Sequence, residues 1–228
     1  MTTESTMDEG LSFPKTDRSR IRREPHRGSY LHSDVYSVVD ASPLCHVGYN
    51  IDGQPFVTPT IHWRKGNRLY WHGSVGSRFL RQVDGARVCI TCSLVDGYVL
   101  ARSAFNHTVN YRSAMMFGVA HVVEGLEDKE RALRDFMDDL FPERWDSLRP
   151  VQEKELKATS VLWMDIEEAT VKSRAGDPSD ADETHVPVWA GVIPMDTTLS
   201  ESRTAPEVPE FITLPGPLAD LIASGRLR

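Results

Sequence analysis

The chain has 228 residues, 40% hydrophobic and 26% charged, which gives room for a full-sized core and excludes fibrous and wholly disordered classes. A formal net charge of −7 argues against a nucleic-acid surface, because neutralising phosphates takes concentrated Lys and Arg. The one basic cluster, Arg18, Arg20, Arg22, Arg23 and Arg27, reads as a solvated arm.

No run approaches the ~18 apolar residues of a membrane span, and the opening MTTESTMDEG lacks the basic-then-apolar order of a signal peptide. A cytoplasmic protein that engages neither membrane nor nucleic acid is expected. Residues 1–24 show no apolar periodicity and read as a mobile arm. A short helix over 34–40, capped by Ser33 or Asp34, opens the core, and a strand over 44–51 turns at Asp52-Gly53 into 55–61. A second turn at Lys65-Gly66-Asn67 precedes a strand over 68–72, and Gly73-Ser74-Val75-Gly76-Ser77 then opens a brief helix to Val83.

The strand over 87–95 is expected to turn at Asp96-Gly97 into 98–104 as another hairpin, followed by a strand over 114–124. Cys89 and Cys92 form a C-x-x-C inside that first strand. Positions three apart face opposite sides of a sheet, so the pair reads as small buried residues and not as a metal grip. Three cysteines cannot all pair, which fits a reducing compartment.

The clearest helix is 127–141, where Leu133, Phe136, Met137, Leu140 and Phe141 recur at helical spacing and Glu127, Asp128 and Glu130 suit the positive end. Pro142 stops it. A helical piece at 151–156 precedes a strand over 160–169, and a Ser/Thr/Pro-rich linker over 196–210 leads to a final helix at 217–224. The expected organisation is an arm (1–24), one domain (25–195), and a linker with tail (196–228). Hairpins without a βαβ rhythm, and no G-x-G-x-x-G after a strand, indicate a mainly β fold: an antiparallel sheet or barrel with peripheral helices.

Three segments carry chemistry. In Tyr70-Trp71-His72-Gly73-Ser74-Val75-Gly76-Ser77-Arg78 a strand ends and a helix begins with hydroxyls and a guanidinium, a combination suited to a phosphate monoester and equally to an ordinary helix cap. The run from Arg102 to Ser113, with Asn106, His107, Asn110, Tyr111 and Arg112, is more polar than a loop between apolar strands requires, so it reads as a ligand contact or a structural polar network. Lys172 and Arg174, with Trp189 further on, join two cations to a large aromatic that can wall a flat ring or pack in a core.

In order, Cys45-His46-Val47-Gly48-Tyr49, Gly53-Gln54-Pro55-Phe56, Thr58-Pro59-Thr60, His72-Gly73-Ser74 with Gly76-Ser77-Arg78, Asn110-Tyr111-Arg112-Ser113, Lys172 with Arg174, and Trp189-Ala190-Gly191-Val192-Ile193-Pro194 resemble the pyridoxamine 5′-phosphate oxidase-related flavin-binding family, in its nitroimidazole-reductase-like branch. The resemblance covers roughly residues 23–195. It implies an antiparallel, Greek-key-like FMN-binding split β-barrel, a homodimer with FMN at the interface, and an oxidoreductase acting on a small molecule by hydride transfer. On the matching positions, Ser74, Ser77 and Arg78 would hold the FMN phosphate, and His46, Pro59, Thr60 and His72 would lie along the flavin. Asn110, Arg112 and Ser113 would close the site, with Lys172, Arg174 and Trp189 approaching from the C-terminal part.

His46 and His107 are the candidate proton carriers, since an unperturbed imidazole titrates near neutrality. No metal is expected. Two variations stay open: a deazaflavin or a haem in place of FMN, and a carrier of flavin or haem without turnover.

Overall fold

A computed structural model describes residues 10–225; the first nine and last three residues, which belong to the expected arm and tail, lie outside the described residues. In chain order the elements are β1 (Gly28–Ser29), α1 (His32–Ala41), β2 (Cys45–Ile51), β3 (Gln54–Thr60), β4 (His62–Lys65), β5 (Arg68–Ser74), α2 (Arg78–Gln82), β6 (Arg87–Leu100), β7 (Thr108–Val119), β8 (His121–Val122), α3 (Leu126–Leu140), α4 (Glu153–Ala158), β9 (Thr159–Asp165), β10 (Glu168–Arg174), β11 (Gly191–Pro194) and α5 (Gly216–Ser224). No helix among the described residues is long and apolar enough to cross a membrane.

The chain forms two compact units. One comprises the residues up to Pro59, Val88–Gly118 and Ile166–Asp196; the other comprises Thr60–Arg87, Val119–Asp165 and the chain from Thr197 onward. The sheet of the first unit runs β1-β10-β7-β6-β2-β3, with β11 also paired to β6. Residues at alternate positions of β2, Cys45, Val47, Tyr49 and Ile51, are buried, as a strand with one face on a core requires. The second unit holds the sheet β4-β5-β9-β8, with α3 packed on β4 and β9. Trp63, Val161 and Ala132 form the centre of that packing, and Leu133 and Phe136 of α3 lie against it. The amphipathic spacing expected for 127–141 therefore does face a sheet.

Four local expectations are corrected. The hairpin at Asp96-Gly97 does not form, because β6 runs unbroken from Arg87 to Leu100 while Val99, Tyr98 and Gly97 pair with Val192, Ile193 and Pro194 of β11. A Cβ at Gly97 would stand 2.8 Å from the Ile193 carbonyl oxygen, so this glycine serves close strand approach and not a turn. The polar run after Arg102 is mostly strand, since β7 begins at Thr108. The single strand expected over 160–169 is two, β9 and β10, separated at Ile166 and Glu167. Finally, α1 starts at His32 behind Leu31 with no side-chain cap, so neither Ser33 nor Asp34 caps it.

Part of the stretch read as an arm is packed. Phe13 is only 4% exposed and its ring stacks on His32 at 3.9 Å. Thr16 donates a hydrogen bond to Glu168, and Arg18 meets the same carboxylate at 2.7 Å. Phe13→Ala removes a buried ring and is expected to destabilise the first unit by about 3 kcal/mol, measured as a lower denaturant midpoint. An unchanged midpoint would mean that this contact contributes nothing.

Candidate functional site

In the second unit, β5 ends at Ser74 and turns at once. The Gly76 N–H donates to Ser74 Oγ at 3.2 Å and the Ser77 N–H to the Ser74 carbonyl at 2.9 Å. Ser77 occupies the N-cap of α2 yet its hydroxyl makes no capping bond, which leaves that group for an external acceptor. Arg78 is exposed, with Nε donating to Gln82 Oε1 at 3.0 Å, while Phe79 and Leu80 anchor the helix in the core. Hydroxyls and a guanidinium thus meet at the rim of a tight turn, a donor set of the kind a phosphate accepts from.

His72 lies just before this turn. Its ring packs on Phe136 at 4.8 Å and Trp63 at 5.9 Å, and its Nδ1 is buried without a hydrogen-bond partner. Burial pushes the imidazole pKa below the usual histidine value, so the ring is held neutral. The unfolded chain then binds the proton more readily than the folded one. Stability is full above the ordinary histidine value of about 6.5 and is lost as pH falls below it. Urea titrations across pH 5–8 should show this decline, and His72→Phe should flatten it; an equal slope in both proteins would remove the assignment.

In the first unit the expected cations are already engaged. Arg174 is 9% exposed; its guanidinium donates to the Asn110 side chain, to the Gly176 carbonyl at 3.1 Å and to the Asp177 carbonyl at 2.9 Å. Asn110 Nδ2 adds a bond to the Gly176 carbonyl at 3.2 Å. Arg112 grips Asp96 with two nitrogens, Nη2 at 2.6 Å and Nε at 3.0 Å, and this hydrogen bonding raises its pKa. Lys172 Nζ donates to the Arg23 carbonyl at 3.0 Å, and the Ser113 hydroxyl donates to the Lys172 carbonyl at 3.1 Å. Asn110 thus joins Arg174, and Ser113 joins Lys172, across the β7–β10 pairing.

His46 is exposed on β2, opposite Thr91 of β6, and Pro59 is exposed near the end of β3. Thr60 donates to the Ile61 carbonyl at 3.3 Å. His107 is exposed; its Nδ1–H donates to the Ser103 carbonyl at 2.8 Å, so Nε2 is the acceptor in the neutral ring. Trp189 is 65% exposed, with its indole over Gly191, where a Cβ would come within 2.8 Å of the ring. Trp189 is therefore a surface ring and not core.

Sequence reasoning missed two arrangements. Asp180, 2% exposed, accepts from the Arg102 backbone N–H and, at 3.1 Å, from the Arg102 guanidinium; the partners are 78 positions apart, and nothing local marks them. In the second unit, Trp63, Tyr70, Trp163 and His121 are successive cross-strand partners, an aromatic row over all four strands. Arg68 lies 3.8 Å from the Trp163 ring centroid. Tyr70, His121 and Trp163 line a cleft of about 530 Å³ together with Arg68, Asp84 and Arg131. A scan for adjacent aromatic strands would have located the row.

The comparisons with known proteins agree with this architecture. The pyridoxamine 5′-phosphate oxidase family profile matches residues 32–173. The chain belongs to that family. Its mainly antiparallel sheets with peripheral helices are the split-barrel fold of this flavin-binding group. Among solved structures, the flavocytochrome Anf3 from Azotobacter vinelandii is 38% identical, with a TM-score of 0.86 over 92% of this chain and 98% of that one. A FAD- and haem-binding protein from Mycobacterium smegmatis is 34% identical, with a TM-score of 0.83 over 89% and 99%. A candidate 5-nitroimidazole antibiotic resistance protein from Bacteroides thetaiotaomicron shares the fold at 23% identity and a TM-score of 0.51, over 62% of this chain and 82% of that one. Among curated proteins no match is found.

Proposed function

We propose that the chain is a flavin-dependent oxidoreductase that also carries a haem and works as a homodimer. The observation that carries this reading is the likeness, over nearly the whole of both chains, to a flavocytochrome at 38% identity, joined by a FAD- and haem-binding protein at 34%. The family resemblance favours FMN, whereas the second relative favours FAD; the mass of the released flavin separates the two.

When bound, a flavin exchanges an electron pair as hydride with a small molecule, and a haem exchanges electrons singly. The protein's part is binding and proton handling. Ser74, Ser77 and Arg78 would hold the flavin phosphate at the turn after β5. His46, Pro59, Thr60 and His72 would lie along the ring, with the neutral His72 adding no charge there. Trp189 offers a flat exposed face. Asn110 and Arg174 hold the 174–177 turn, Arg112 is fixed by Asp96, and Ser113 fixes the Lys172 backbone, so these residues shape the site more than they supply spare charge. His107 is suited to accept a proton at Nε2, and His46 is the second candidate.

A haem asks for a neutral imidazole beside apolar rings. In the second unit His121, 4.7 Å from the Trp163 ring, sits beside such a ring. A homodimer is supported by apolar surface left uncovered on the first unit, where Val57 is 68% and Tyr98 51% exposed.

The purified protein should show both a flavin band and a haem Soret band. A flavin band without a Soret band would leave the flavin reading and remove the haem; a colourless protein that takes up neither added flavin nor hemin would sink both. Ser77→Ala with Arg78→Ala should weaken flavin retention at least tenfold with the fold intact by circular dichroism. His107→Ala should slow turnover while flavin stays bound, and unchanged turnover would remove its proposed proton role.

A further inference from the structure

Residues 197–225 carry apolar side chains that their own chain leaves uncovered. Phe211 is 84%, Ile212 53% and Leu214 41% exposed. Helix α5 buries no residue fully, and its Leu218, Leu221 and Ile222 are half-buried. The backbone hydrogen bonds of the stretch run between near neighbours: Val208 to Ala205, Ile212 to Pro209, Leu218 and Ala219 to Pro215, and Gly225 to Ile222. A nine-residue helix is shorter than the ~12–15 residues at which an isolated helix becomes even marginal in water. The exposed Phe211, Ile212 and Leu214 leave a surface that a second molecule can cover.

Three observations identify that surface as a second copy of the chain. First, the match to the flavocytochrome leaves only about 8% of this chain unmatched, roughly 18 residues, fewer than residues 197–225 contain. The course of the stretch is therefore shared at least in part, as expected of a segment held in place. Second, the stretch is acidic, with Glu201, Glu207, Glu210 and Asp220 against Arg203, while Arg20, Arg22 and Arg23 near the other end of the chain are exposed. Third, Tyr98 and its cross-strand partner Ile193 on the sheet of the first unit are 51% and 48% exposed. An isologous pair covers each such surface twice.

We propose that residues 197–225 form a strap that lies across a second copy of the chain, with its apolar side chains on the partner's uncovered sheet surface and its carboxylates near the partner's exposed arginines. The inference rests on the homodimer reading above. It assigns the basic cluster, which the flavin site does not use, to recognition between copies.

The test places p-benzoyl-L-phenylalanine at Phe211 of the full-length protein, with Lys154 on α4 as a reference position. Chains labelled with ¹⁴N and ¹⁵N are mixed and irradiated, the cross-linked peptides are identified by mass, and light scattering gives the oligomeric state at the same concentration. Mixed-label products from position 211, at least tenfold more abundant than from position 154, are expected. A dimer whose position-211 products are absent or confined to one chain overturns the strap and leaves the homodimer standing. Equal products from both positions also overturn it, as chance collision. A monomer by scattering removes the homodimer and the strap together.

Discussion

A buried strand must place every backbone N–H and C=O, and in the larger sheet β6 does this with three partner strands. Over the fourteen residues from Arg87 to Leu100 it lies between β7 and β2 and also takes β11 along its last residues. The antiparallel register fixes which side chains share a face. Val88, Ile90 and Cys92 go inward and Cys89 lies on the other face, where burial raises its thiol pKa. Asp96 stays within the strand, where it receives both nitrogens of Arg112. A hairpin at this point would have broken the pairing with β11 that carries Gly191, and with it the seat of Trp189.

Elements with a strong local signal were legible in the sequence. The Asp52-Gly53 turn, the 127–141 helix and the strand leading into Ser74 appear within a residue or two of where pattern and turn chemistry put them. Failures came where a distant partner decides. Asp96-Gly97 has turn composition, yet β11 arrives from nearly a hundred residues away and keeps the strand straight. Leu31 precedes α1 where a Ser or Asp cap was expected, because Leu11 and Phe13 bond to the segment around Tyr30 and His32 and fix the entry instead.

The candidate site was legible by residue type more than by role. The turn at 74–78 has the hydroxyls and guanidinium that its sequence promised. The cations of the first unit look from sequence like ligand donors, but folding gives them internal partners: Arg174 takes Asn110 and two carbonyls, Arg112 takes Asp96, and Lys172 takes a carbonyl of the N-terminal stretch. A buried guanidinium must be satisfied before it can do anything else. Sequence spacing carries no information on which carbonyls will be near, and Asp180, the counterpart of Arg102, could not have been found from it.

The distribution of tryptophan has an optical consequence. Trp63, Trp71, Trp145 and Trp163 all belong to the second unit, and the first two are at most 1% exposed; Trp189 is the single indole of the first unit and is 65% exposed. Indole emission shifts to longer wavelength in water. Trp189 of the first unit is thus the most water-exposed emitter and weights the red edge of the protein's fluorescence, while Trp63 and Trp71 of the second weight the blue edge. A shift confined to the red edge would therefore point first to Trp189, and one confined to the blue edge to the core around Trp63 and Trp71.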